Sequence, residues 1–168
     1  AILPPLNIIE KYLPESFVFY KPKDIVAGDF YWMARLTLPA GEDVGEVVLI
    51  AAADCTGHGV PGAMVSVVCS NALDRAVKEF GLMQPGKILD KTRELVIETF
   101  EKSEGEIKDG MDISLASITQ VKGGVKIQWA GAFNPLWYIV NGELKEIQAD
   151  KQPIGKSDNP RPFTTHTI

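Results

Sequence analysis

Apolar positions in this chain change period as it proceeds. Within the short, Pro-containing stretch 1–14, residues 8–12 (Ile8-Ile9-Glu10-Lys11-Tyr12) give a weak helical hint. Aromatic and β-branched residues at 16–20 and again at 28–38 predict two strands, and 41–45 a turn. Residues 46–54 (EVVLIAAAD) form a continuous apolar run, the pattern of a strand covered on both faces. The spacing then lengthens. Pro61 suits a first helical turn, no breaker interrupts 63–80, and Gly81 closes that helix. Pro85-Gly86 opens a second, in which Ile88, Leu89, Thr92, Leu95, Val96, Thr99 and Phe100 recur every three or four positions as one stripe. A polar loop at 103–110 follows. Strands are predicted again at 113–121, 125–130, 136–140 and 144–149, separated by Gly123-Gly124, Asn134-Pro135 and Asn141-Gly142. The first and last of these are hairpin dipeptides.

The order is therefore three strands, two helices with no strand between them, and a four-strand meander. That disfavours βαβ winding and favours two antiparallel sheets with a helical pair on one face, an α/β fold of the α+β kind. The chain has 168 residues, which suits one domain over 1–168. No internal repeat or low-complexity tract is present.

Charge narrows the function classes. Asp and Glu outnumber Lys and Arg 22 to 17, and no basic stripe is present, which argues against nucleic acid as a partner. The longest apolar run, 47–53, is far short of the roughly 20 residues of a membrane helix, so no membrane contact is expected of this domain. Cys55 and Cys69 have neither zinc-knuckle spacing nor the numbers for a disulfide framework. They read as small buried hydrophobes in a reducing, cytoplasmic compartment, and no signal segment precedes them. A start at Ala1 without Met and an end at Ile168 in a strand-like stretch suggest a piece of a longer protein, which itself can be membrane-anchored.

Candidate chemistry concentrates at 54–62 (DCTGHGVPG), where an apolar strand hands over to a helix. Small residues there permit a sharp turn and close approach of a ligand. A carboxylate at the strand end, Asp54, is costly unless a cation faces it. The alternatives are a metal ion, or a simple cap with the glycines permitting the turn. Gly57-x-Gly59-x-x-Gly62 matches the dinucleotide fingerprint, but the second strand that reading needs is replaced by a helix. Gly57-x-x-x-x-Gly62 begins like a Walker A loop, yet Ala63-Met64 stand where Lys and Ser/Thr are required. Asp29, in Gly28-Asp29-Phe30, begins another strand. Two carboxylates converging from neighbouring strands would make an oxygen-only seat for Mg²⁺ or Mn²⁺, although Gly-Asp also starts many strands as a turn.

Four ordered motifs sharpen the choice: 27–31 (AGDFY), 53–64 (ADCTGHGVPGAM), 130–136 (AGAFNPL) and 152–155 (QPIG). Together they resemble the motifs of SpoIIE-like (sporulation stage II E type) serine phosphatases, of the metal-dependent phosphatase class that includes the type-2C enzymes. The resemblance runs from about Phe17 onward. It implies an α-β-β-α sandwich of antiparallel sheets and hydrolysis of phosphoserine or phosphothreonine on a protein by a water activated by two Mn²⁺ or Mg²⁺ ions. It makes Asp29 and Asp54 metal ligands, with Cys55 contributing its backbone carbonyl and its thiol a bystander. His58 is then either a proton donor to the leaving oxygen or a turn residue; Gly28 and Gly57 are accessory. Asp112 is either a further acid reaching the site or a strand-initiating surface residue.

The family's remaining metal-binding aspartates follow the Pro-x-Gly motif, beyond Ile168. The resemblance therefore implies a domain truncated at its C-terminus, without its final strands, with an incomplete metal site and little turnover of its own. It also implies an upstream sensor domain and a phosphoserine protein substrate, such as an anti-sigma-factor antagonist. The alternative is a catalytically silent docking module of the same fold. Lys21 and Lys23 either touch a substrate phosphate or face solvent, and Trp129, Trp137 and Tyr138 read as core or sheet-face residues.

Overall fold

In a computed structural model describing residues 3–22, 24–38, 45–102 and 109–168, the elements run α1 (Leu6–Tyr12), β1 (Phe30–Thr37), β2 (Glu46–Cys55), α2 (Gly59–Lys78), α3 (Pro85–Glu101), β3 (Met111–Val121), β4 (Gly124–Ala132), β5 (Leu136–Val140), β6 (Glu143–Ile147) and β7 (His166–Thr167). Strands β1-β2-β3-β4-β7 form one antiparallel sheet in that order, and β5-β6 a separate two-stranded ribbon. The expected class, antiparallel sheet with a helical pair on one face, is the one observed. Most of the turn expected at 41–45, and 103–108 of the expected polar loop, lie outside the described residues.

Alternation decides which side chains enter the core. On one face Trp32, Leu49, Ala51, Ile113, Leu115 and Ala130 meet the apolar stripes of α2 and α3. From α2 come Val65, Cys69, Leu73 and Val77, and from α3 Ile88, Leu89, Leu95 and Val96. Each fully buried Leu or Ile contributes about 1.5–3 kcal/mol, so this single layer supplies most of the apolar driving force. Of the expected stripe on α3 Thr99 is exposed, while Phe100 packs partly buried against this core.

Three expectations need correction. Residues 16–20 are not a strand: they run extended without a ladder, and Phe17 and Phe19 are 90% and 85% exposed. Strand propensity measures fit to a pleated, half-buried surface, and here no described strand offers backbone partners. Tyr20 is held instead by its hydroxyl, which donates to the Asp29 carbonyl (3.0 Å), and by an edge-to-face contact with Tyr31. Second, β2 is covered on both faces only over its first half: Val48 is buried and Ile50 half-buried on the second face, whereas Ala52 and Asp54 further along are exposed there. The exposed part of the apolar run is alanine, which tolerates exposure. Third, the meander breaks after β4. Phe133 takes a positive φ (56°) and turns the chain out of the main sheet, and Asn141-Gly142 closes β5-β6 as a tight hairpin with positive φ at both residues.

The last segment is bound back onto the site end of the sheet. Gln152, buried, accepts from Arg93 Nη1 (3.0 Å) and the Arg161 amide (2.9 Å), and donates to the Arg161 carbonyl (2.7 Å). Ile154 and Met111 exchange two backbone bonds (2.9 and 3.1 Å), which fixes the start of β3. The Thr165 hydroxyl accepts from the Gly86 amide (2.9 Å), satisfying a donor at the α3 N-terminus.

Candidate active site

Register assembles the site. Phe30 faces Ala53 across β1-β2, so one residue further Asp29 stands opposite Asp54; across β2-β3, Asp54 stands directly opposite Asp112. Residues opposite one another share a face, so three carboxylates lie in one transverse row over three adjacent strands, on the face away from the helices. Asp54 is the middle member. It borders two cavities: one of about 870 Å³ over the open face, shared with Asp29, Tyr20 and Lys21, and one of about 270 Å³ shared with Asp112, Thr56 and Gly155.

Glycines make this approach possible. A Cβ on Gly28 would lie 2.8 Å from the Gly57 carbonyl oxygen and 3.1 Å from that of Cys55. One on Gly62 would lie 2.6 Å from the same Gly57 oxygen. Only backbones without side chains let the start of β1, the 54–58 loop and α2 touch, and that contact sets Asp29 beside Asp54. Gly57 itself turns with φ of 85°. Thr56 stitches the loop to β3: its amide donates to the Gly110 carbonyl (2.9 Å), and its hydroxyl accepts from the Gly110 amide (3.1 Å). Thr56 and Tyr20 were not singled out from sequence. Their roles depend on partners 54 and 9 residues away, and nothing local signals them.

The row is electrostatically uncomfortable as it stands. Burial, then the hydrogen bond and charge of Asp54, push the Asp29 pKa up. Burial and Asp54 do the same to Asp112, and burial and Asp29 raise Tyr20. Among the described residues no Lys, Arg or His is ion-paired with any of the three acids. Like charges directly opposite on adjacent strands destabilise a sheet, and a hard divalent cation such as Mg²⁺ or Mn²⁺ between the contacting pair Asp29 and Asp54 would relieve it. No three His, Cys, Asp or Glu among the described residues close into one metal-ligating group. The geometry explains this, because Asp29 and Asp112 are two strand spacings apart, about 10 Å.

Of the other candidates only some border the two cavities, and Trp129 and Trp137 are, with Lys21, on the wall of the larger one. The Cys55 thiol points to the helix-side core, where its interaction with Cys69 and then burial raise its pKa; only its backbone borders the smaller cavity. His58 is the residue preceding α2, 77% exposed, with Nδ1 3.4 Å from Asp24 Oδ2, and lines neither cavity. Lys21 lines the larger cavity, while Lys23 lies outside the described residues. Trp129 is fully buried, whereas Trp137 is exposed on the ribbon.

The raised Asp29 pKa has a measurable consequence. A carboxyl titrating above its unfolded value of 3.8 holds its proton in the fold over a window where the unfolded chain has lost it. Its contribution to stability therefore falls as pH rises through that window, and the penalty is complete above it. In chelator-containing buffer, Asp29→Asn is expected to melt above wild type at neutral pH, with the gap closing as pH falls toward 3.8. A variant melting below wild type at neutral pH would contradict the crowding.

The chain matches the family model described as Stage II sporulation protein E (SpoIIE) over residues 45–168. Among solved structures it is similar to the SiaA-PP2C domain of Pseudomonas aeruginosa, at 26% identity and a TM-score of 0.75, covering 99% of this chain and 61% of that one. It is also similar to the PP2C phosphatase domain, with a fragment of the regulatory domain, of the cell fate determinant SpoIIE from Bacillus subtilis (16% identity, TM-score 0.58, 86% and 37% covered). A third is the structure of the RsbU and RsbW domains of a Mycobacterium tuberculosis protein (19%, 0.57, 87% and 36%). The last two show likeness of fold alone. No curated protein matches significantly. The architecture is that of type-2C phosphatase domains, and this chain spans about three fifths of the SiaA domain.

Proposed function

Because the chain belongs to the stage II sporulation protein E (SpoIIE) family, we propose that it is the N-terminal part of a metal-dependent phosphatase domain hydrolysing phosphoserine or phosphothreonine on a regulatory protein. The observation that carries this reading is the pairing of Asp29 with Asp54 at one sheet end, two carboxylates with no basic partner among the described residues. Their oxygens would hold Mn²⁺ or Mg²⁺, and the Cys55 carbonyl is the third donor the family pattern assigns. Bound divalent ions would lower the pKa of water and neutralise charge on the phosphoryl oxygens.

The chain's own residues do the positioning. Tyr20 ties the 16–22 segment to the Asp29 backbone, and the Gly28–Gly57–Gly62 contact holds the Asp29–Asp54 distance. The larger cavity beside the pair, with Lys21 on its wall, is where a phosphorylated segment would enter. The family resemblance implies a regulatory phosphoprotein as substrate, such as an anti-sigma-factor antagonist, and control by an attached regulatory domain, a fragment of which accompanies the phosphatase domain in the SpoIIE structure. His58, paired with Asp24 and away from the row, is expected to be a turn residue. His58→Asn should leave kcat essentially unchanged, and a loss of kcat without loss of Mn²⁺ binding would make it the proton donor instead.

The test is Mn²⁺-dependent phosphate release from a phosphoserine peptide, by this chain and by a version extended through the family's C-terminal aspartate motifs. Little turnover from the short form and clear turnover from the long form are expected. No Mn²⁺-dependent release by the extended protein would leave the silent docking module as the better reading.

A further inference from the structure

The passage that carries Asp54 and the Cys55 carbonyl has little of its own to hold it. Gly57, Gly59 and Gly62 are permissive positions, and among the described residues the side chains of 56–58 reach the sheet only through Thr56, at Gly110. That anchor is itself held from outside. A Cβ on Gly110 would collide with the Ile154 carbonyl, and one on Gly155 would lie 3.3 Å from the Asp109 carbonyl oxygen, so 109–110 and 154–155 pack backbone to backbone. Met111 and Ile154 exchange two backbone bonds beside this joint. Pro153 and Gly155 line the smaller cavity with Asp54 and Thr56. The place of 153–155 therefore sets Gly110, and Gly110 sets Thr56.

What sets 153–155 is a buried amide. Gln152 is 6% exposed, and its carboxamide makes three bonds: the oxygen accepts from Arg93 Nη1 and the Arg161 amide, and the nitrogen donates to the Arg161 carbonyl. Arg93, on α3, donates to that same carbonyl (2.9 Å) and lies over the Phe163 ring at 5.0 Å. Its Nη2 is 3.5 Å from Asp90 Oδ1, which accepts from the Phe163 amide (2.9 Å). An apolar side chain at 152 would be buried with less desolvation cost. A satisfied polar network instead admits few alternative geometries, so it fixes direction. We infer that Gln152 is a positioning residue of the proposed site: clasped to α3 by Arg93, it fixes 153–155, and through Gly110 and Thr56 the passage that presents Asp54 and the Cys55 carbonyl. Its consequence for turnover rests on the phosphatase reading, whereas the clasp itself does not.

Gln152→Met keeps the volume and removes all three bonds, and Arg93→Met removes the other side of the clasp. The first readout is amide hydrogen exchange on the whole chain in EDTA. Exchange at Thr56, Met111 and Ile154 is expected to speed up about tenfold or more in either variant, the effect of losing a hydrogen bond to a charged group, while Leu49 and Ile50 in the middle of β2 change by less than about threefold. The double variant should add little to either single one, because the two side chains act as a unit. The second readout is phosphate release from a phosphoserine peptide by the extended protein. There Gln152→Met should lower kcat/KM about tenfold, as a misplaced reacting group does, and Gln152→Glu, which keeps both acceptor bonds, should recover most of the loss. Exchange raised equally at Thr56 and in the middle of β2 would overturn the inference, since Gln152 would then hold the fold as a whole. Unchanged exchange at Thr56 would overturn it too, as would wild-type kcat/KM in Gln152→Met. If the extended wild type releases no phosphate, the phosphatase reading falls, and exchange at Thr56 alone decides whether Gln152 holds this passage.

Discussion

Asp54→Ala is expected to lose metal-dependent phosphate release by about a hundredfold or more in the extended protein, measured as kcat/KM on a phosphoserine peptide. The reason is position. Asp54 is the middle of the row, opposite both Asp29 and Asp112, so in the proposed site its removal breaks the Asp29–Asp54 pair and leaves Asp29 and Asp112 two strands apart. Replacing either flanking acid leaves a pair. The fold should not suffer, because Asp54 is exposed at the end of β2 and its charge opposes its neighbours. The variant should therefore melt in EDTA no lower than wild type, and lost activity cannot then be assigned to unfolding. Activity equal to wild type would remove Asp54, and with it the site, from the mechanism.

Trp129→Ala should have the largest effect on stability, about 3–5 kcal/mol, read from urea unfolding. Trp129 is fully buried, yet it lies on the open face of the sheet, opposite Ala116, rather than in the helix-side core. Its indole N–H donates to Ser114 Oγ (2.8 Å), and its ring leans on His166 (centroids 5.6 Å apart). It also occupies the space a side chain on residue 131 would need: a Cβ there would lie 2.5 Å from the ring and 2.6 Å from the Asn134 carbonyl. Gly131 and the Asn134-Pro135 turn thus wrap the indole, which gives the AGAFNPL motif a packing role. Alanine would leave a cavity, unpair the Ser114 hydroxyl and loosen the exit from β4. Trp129→Phe keeps most of the volume and should recover much of the loss. A Trp129→Ala variant within about 1 kcal/mol of wild type would show that the ring is not a packing centre.

Legibility tracked how local each determinant is. Helices α2 and α3 were readable because Pro61, Pro85, Gly81 and the three-to-four spacing of 88–96 act within a turn or two of themselves. The actual start of α2 at Gly59 was missed, since glycines argue against helix unless tertiary contact requires them, as Gly62 does against Gly57. The segment 16–20 failed in the opposite sense: its residues fit a strand, but strand formation needs a second chain segment that propensity does not see. The β3-β4 hairpin was legible at its glycines, although the turn falls on Lys122-Gly123, one residue earlier than Gly123-Gly124.

The site divides the same way. From the amino-acid order alone came one antiparallel α+β domain, a glycine-rich passage between strand and helix, and Asp29 and Asp54 as the acids worth pairing, the last chosen by resemblance to a family whose membership the match over 45–168 shows. Only the folded chain decided that Asp112 shares their row, that Thr56 and Ile154 hold it there, that the Cys55 thiol faces away, and that Trp129 fills the open face. Period and capping act over a few residues and can be read where they stand. Strand register joins positions 25 to 58 apart in this row, and its free energy is shared over whole ladders, so no single stretch of sequence records it.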